Sequence, residues 1–170
     1  MFGKNIGTAH IERFVTEKDS TEQYLLQSST VADVFFVKKH SSQNYIVTYK
    51  HGKLIKSAAS NTVNDETTFV SLNWDIDRYI LKKNKHYSYL HEPVFLSTLC
   101  IYFHQPDVRF KYFSERLGEF YFIVKNKDGS YEYTLSDGIR NVFYYQGNSP
   151  ELIVMKKSFV TVEMKLTKVE

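Results

Sequence analysis

Phe35-Phe36-Val37-Lys38, the polar Ser41-Ser42-Gln43 and the run Tyr45-Ile46-Val47-Thr48-Tyr49 decide the reading of the fold, because the chain says nearly the same again later. Phe122-Ile123-Val124-Lys125 is followed by polar residues and by Tyr133-Thr134-Leu135-Ser136. In each copy a β-rich run ends in a basic residue, a short polar loop follows, a second strand comes next, and a glycine turn closes the unit at Gly52 or Gly138. A basic side chain at a strand end, beside the amides of a tight loop, is an arrangement that holds phosphate.

Working outward, residues 33–39 and 44–50 read as an antiparallel pair, with 53–58 as a third strand after Gly52 and 62–68 as a polar loop. Ser20 as a cap with Glu22 in the first turn predicts a helix ending before Ser28. Phe69, Leu72, Ile76, Tyr79 and Ile80 recur at helical spacing and predict a second one. The run Phe95 to His104, closed by Pro106, reads as a connecting helix. Beyond it come strands at 108–113, 119–125, 131–136 and 142–145, with Asp128-Gly129 as a hairpin turn. Ser149-Pro150-Glu151 reads as a helix start, and 160–166 as a final strand or tail. Residues 1–12 are expected to be loosely ordered.

Composition sets the limits. A hydrophobic content of 42%, with 16% aromatics, argues for an ordered globular protein. Lys and Arg number 22 against 19 acids, and a net charge of +3 is a weak pointer to an anionic partner. The basic residues cluster, at Lys38-Lys39-His40, Lys82-Lys83-Asn84-Lys85 and Lys156-Lys157. Cys100 stands alone in an apolar run, which predicts a buried thiol in a reducing compartment. No signal-peptide core and no apolar run long enough to span a bilayer are present, so no membrane partner is expected.

The order helix, three-stranded sheet, helix, with a basic residue closing the first long strand, resembles the Src-homology 2 (SH2) domain over about residues 12–97. Phe35-Phe36-Val37-Lys38 stands where that family carries Phe-Leu-Val-Arg, Ser41-Ser42 follow as its hydroxyl residues, and Leu90-His91-Glu92-Pro93 resembles its exit. Two such units joined by a helix resemble the tandem SH2 module of the suppressor-of-Ty-six family of nuclear transcription elongation factors and histone chaperones. Asp33-Val34, Val47-Thr48-Tyr49-Lys50, Phe69, Leu72 and Arg78-Tyr79 carry the first half, Gly118-Glu119-Phe120 and Glu132-Tyr133 the second.

The resemblance implies an α+β fold. An SH2-like domain over residues 10–95, a linker helix over 96–106 and a degenerate SH2-like domain over 107–170 are expected, each a central antiparallel sheet flanked by helices. It also implies a function in the nucleus: binding phosphorylated segments of the largest RNA polymerase II subunit, as a fragment of a longer elongation factor.

The implied phosphate ligands of the first half are Lys38, Ser41, Ser42, Lys50 and Lys56, with His40 as a donor or a loop cap and Lys18 just ahead of the first helix. Lysine in place of the family's arginine lacks the bidentate fork, which predicts reduced affinity for phosphotyrosine alone. In the second half Arg109, Lys111, Lys125, Lys156 and Lys157 form the candidate basic surface. Alignment on Gly118 puts Ile123 at that pocket, whereas alignment on the repeat puts Lys125 there.

Catalysis is not expected, nor are a cofactor and a metal. The histidines at 10, 40, 51, 86, 91 and 104 show no ligand spacing, and neither a phosphate loop nor a nucleophile elbow is present. Competing readings are a divergent phosphotyrosine adaptor, a scaffold domain, and a single-stranded nucleic-acid binder using basic clusters interleaved with aromatics. Nucleic acid is the less favoured partner.

Overall fold

The computed structural model describes residues 6–34, 37–158 and 160–166, and divides into two compact units, residues 1–95 and 96–170. The expected α+β fold is overturned. Among the described residues the chain forms fourteen strands and two short 3-10 segments, and none of the anticipated flanking or linking helices.

In the first unit β1 (Gly7–Thr16), β2 (Thr21–Val34), β3 (Val37–Lys50), β4 (Lys53–Val63), β5 (Glu66–Asp75), β6 (Arg78–Lys83) and β7 (His86–Leu90) pair in chain order as one antiparallel meander. The expected first helix is the start of β2, and the second is β5, a two-residue turn and β6. Residues 41–43, expected as a loop, lie inside β3, and the polar stretch 62–68 is a turn with strand on both sides. Residues 7–12, expected to be loose, are the first strand.

Alternation explains these corrections. Tyr24 and Leu26, Tyr45, Val47 and Tyr49, Leu54 and Ala59, Val70 and Leu72, and Tyr79 are all buried, and the strand pairing brings them to one face. The last four hairpins of this sheet close through left-handed backbone. His51 (φ 50°) and Gly52 (φ 75°) supply the two positive-φ positions that a two-residue turn needs, and Asn64, Ile76 and Asn84 open the next three turns with φ of 53° each.

A latch follows β7. The buried Tyr79 hydroxyl donates to the Leu54 carbonyl at 2.7 Å and accepts from the Val94 N–H at 3.2 Å, while the Leu54 N–H donates to the Val94 carbonyl at 2.9 Å. Burial pushes the Tyr79 phenol up, against the hydrogen bond to Val94, so the hydroxyl keeps its proton at neutral pH.

In the second unit a 3-10 segment, Thr98–Tyr102, replaces the expected linker helix. The hairpin β8 (Lys111–Ser114) and β9 (Glu119–Phe122) follows, then a five-stranded meander. Its strands are β10 (Val124–Lys125), β11 (Tyr131–Thr134), β12 (Arg140–Gln146), β13 (Ser149–Lys157) and β14 (Val160–Lys165). The helix expected at Ser149-Pro150 is β13. Pro150 sits opposite Tyr145, next to the register shift between Tyr144 and Tyr145, where a strand tolerates a missing N–H.

The core of this unit is aromatic: Tyr121 and Tyr133 stack at 4.2 Å, Tyr133 and Phe143 at 5.8 Å, and Tyr102 meets Phe143 edge-on at 5.9 Å. One carboxyl lies within it. Glu115 is fully buried and accepts from the Leu99 N–H at 3.1 Å, at the start of the 3-10 segment. Burial raises its pKa, opposed by hydrogen bonds from Ser97, Thr98 and backbone N–H groups.

Candidate functional site: a trough across the first sheet

The second face of the first sheet is the more open one, and pairing fixes what lies on it. Glu12 opposes Leu25, Leu25 opposes Ile46, Ile46 opposes Ala58, Ala58 opposes Ser71, Ser71 opposes Lys82 and Lys82 opposes Tyr87. Directly opposed residues share a face, so these seven make one row running across all seven strands.

The row has a low middle. Ala58 and Ser71 are its smallest side chains, and they stand between the apolar pair Leu25 and Ile46 on one side and Lys82 on the other. One neighbouring row, Gln27, Asn44, Ser60 and Phe69, runs beside it and shares the lining. The result is an open trough of about 530 Å³ whose lining includes Leu25, Ile46, Ala58, Phe69 and Lys82. Its size falls in the range that holds small organic ligands, roughly 300–1,000 Å³.

The end of the trough nearest β7 is aromatic and basic. Phe69, Tyr87 and Tyr89 are 58%, 63% and 59% exposed. The Lys82 ammonium lies 5.1 Å from the Tyr87 ring centre and the Arg78 guanidinium 4.5 Å from that of Tyr89. Asn84 fixes Phe69 from the turn, its Oδ1 accepting from the Phe69 N–H at 2.9 Å while its own N–H donates to the Phe69 carbonyl at 2.8 Å.

The residues expected to hold phosphate are spread out. Phe35 and Phe36 lie outside the described residues. Lys38, His40, Ser41 and Ser42 are on one extended strand, β3, where Ser41 faces away from the other three. The His40 N–H and carbonyl are engaged by Asn64, at 3.2 and 2.7 Å. Lys50 lies twelve positions further along β3, about 40 Å of extended chain. Lys56, opposite Thr48, and Lys18, in the turn before β2, belong to that far end.

In the second unit, Asp107 holds Arg109 through its side chain at 2.9 and 3.1 Å, and that contact lowers the Asp107 carboxyl to about 2. Lys111 sits over Phe120 at 4.4 Å and Lys125 over Tyr131 at 5.3 Å. Lys156 and Lys157 are at the end of β13, three strands from Lys125.

Among the described residues no group of three or more His, Cys, Asp and Glu side chains is placed to hold a metal ion, and no helix is long and apolar enough to cross a membrane. Sequence reasoning missed Leu25, Ile46, Ala58, Ser71 and Lys82. The signal was present in Leu25-Leu26 and Ala58-Ala59, where two adjacent apolar residues in a strand put one on each face.

Comparison with curated proteins and with solved structures gives no match. A family profile described as "Domain of unknown function (DUF6134)" matches residues 1–167. By that match, which spans both units, the chain belongs to the DUF6134 family.

Proposed function

We propose that the first unit is a binding module that lodges one elongated, largely apolar ligand in the trough across its open face. The observation that carries this reading is the row itself: small Ala58 and Ser71 lie in register between Ile46 and Lys82, leaving a channel at right angles to the strands. A sheet face meant only for solvent has no use for Leu25 and Ile46 side by side, with Phe69 across a floor of small residues. Burying those apolar side chains under a ligand supplies about 25 cal/mol per Å² of covered surface. The opposite face is already filled by Tyr45, Val47, Leu72 and Tyr79, so ligand binding on the open face leaves the core intact.

The test fills the channel. Ala58→Trp places an indole over the floor while keeping a residue that suits a strand. The rod-shaped neutral fluorophore diphenylhexatriene is expected to bind the wild-type chain saturably, one per chain, and the variant at least about tenfold more weakly, with an unchanged unfolding midpoint. Equal binding to both proteins overturns the reading.

A further inference from the structure

Resting on the trough as a ligand site, we infer that its occupant is a long-chain fatty acid, lying across the strands with its carboxylate at Lys82 and its tail toward Leu25. Three observations give the ligand its chemistry and its direction. The first is charge. Lys82 is exposed, lines the trough and has no acidic partner among the described residues, only the Tyr87 ring at 5.1 Å. Arg78, the other cation of this end, already stands opposite Asp75 and 4.0 Å from Asp77. Lys82 is therefore the cation of the row that a ligand anion completes, and the Ser71 hydroxyl beside it offers a donor to the same head group.

The second observation is the opposite end. The row finishes in Glu12, which is engaged by His10 at 2.9 Å. An acid head placed there meets a like charge, whereas an alkyl tail there meets Leu25 and Ile46.

The third is length. From Leu25 to Lys82 the row crosses four strand spacings, about 19 Å at roughly 4.8 Å each, which is the reach of a long acyl chain.

The experiment uses the whole chain and two fluorescent polyene probes of equal length, cis-parinaric acid and the corresponding alcohol. The acid is expected to bind about tenfold tighter than the alcohol, the scale of one charge-assisted hydrogen bond. Lys82→Gln should remove that preference and leave the alcohol unchanged. Lys50→Gln, at the end of β3 and outside the row, should alter neither.

Equal affinities for acid and alcohol in the wild type, or a preference that survives Lys82→Gln, overturn the carboxylate assignment while the trough stands. Failure of both probes to bind the wild type overturns the trough as well. Displacement of the acid by oligouridylate, fading steeply with added salt, would assign the aromatic and basic end to single-stranded nucleic acid and defeat the fatty-acid proposal.

Discussion

Tyr79→Phe isolates the latch that ties the exit of the first sheet to its middle. The substitution keeps the ring, and with it the edge contact to Trp74 at 4.8 Å, so the buried apolar area is unchanged. What is lost is one oxygen with two partners, the Leu54 carbonyl at 2.7 Å and the Val94 N–H at 3.2 Å. Leu54 and Val94 are both buried, so water does not replace the hydroxyl. Each buried polar group left without its partner costs about 1–3 kcal/mol, and with two of them the expected loss is about 2–6 kcal/mol.

For a unit of this size each kcal/mol moves the melting temperature by roughly 4–8 °C, which puts the variant at least about 8 °C below the wild type. Trp74 is the only tryptophan of the chain and lies beside the substituted residue, so urea unfolding followed by its fluorescence reads this unit directly. The midpoint should fall with an unchanged slope. A loss below about 0.5 kcal/mol would show that the hydroxyl is not what holds Val94 to the sheet.

Two further outcomes concern stability. Ile76 opens the β5–β6 turn with φ 53° and is 90% exposed, so its branched side chain bears the left-handed penalty and packs against little. Ile76→Asn, copying the neighbouring Asn64 and Asn84 turns, should raise stability by about 0.5–1 kcal/mol in the same urea assay, and a lowered midpoint would refute the strain argument. Glu115 has a folded-state pKa above its ordinary value of 4.5, so the folded chain holds that proton more tightly than the unfolded chain. Its contribution is greatest below 4.5 and is lost as pH rises from there through the folded value. Carboxylates whose pKa is lowered, such as Asp107, slope the other way, and the stability difference between Glu115→Gln and wild type removes them. That difference should grow in favour of the variant above pH 4.5, and a flat difference would refute the assignment.

Strands were legible in the sequence wherever β-branched and aromatic residues cluster or a glycine marks the turn. Tyr45-Ile46-Val47, the Gly52 turn, the strand after it and the Asp128-Gly129 hairpin all read correctly. The two helices expected in the first unit were misread for one reason, a sheet with apolar residues on both faces. Leu25 breaks the alternation of Tyr24 and Leu26 because it lines the trough, and Phe69 does the same beside Val70. Once those trough residues are counted with the core, Phe69, Leu72, Ile76 and Tyr79 fall at helical spacing by coincidence, and Ile76 belongs to a turn. The turns hid as well, since Asn64, Ile76 and Asn84 take left-handed backbone without glycine. The candidate site was illegible for a related reason. Its members sit on five strands and meet only through register, so no local spacing announces them.

The chain-order meander of the first unit also governs how it assembles. Each strand needs only the one just before it, so every closure spans a short loop and pays little entropy for it. Low contact order of this kind favours rapid folding for an all-β unit, by hairpins added one after another. The same serial logic leaves the two outermost strands, β1 and β7, with a row of backbone groups that no other strand of this sheet occupies. Sheet edges of this kind are where a further strand can dock, away from the open face.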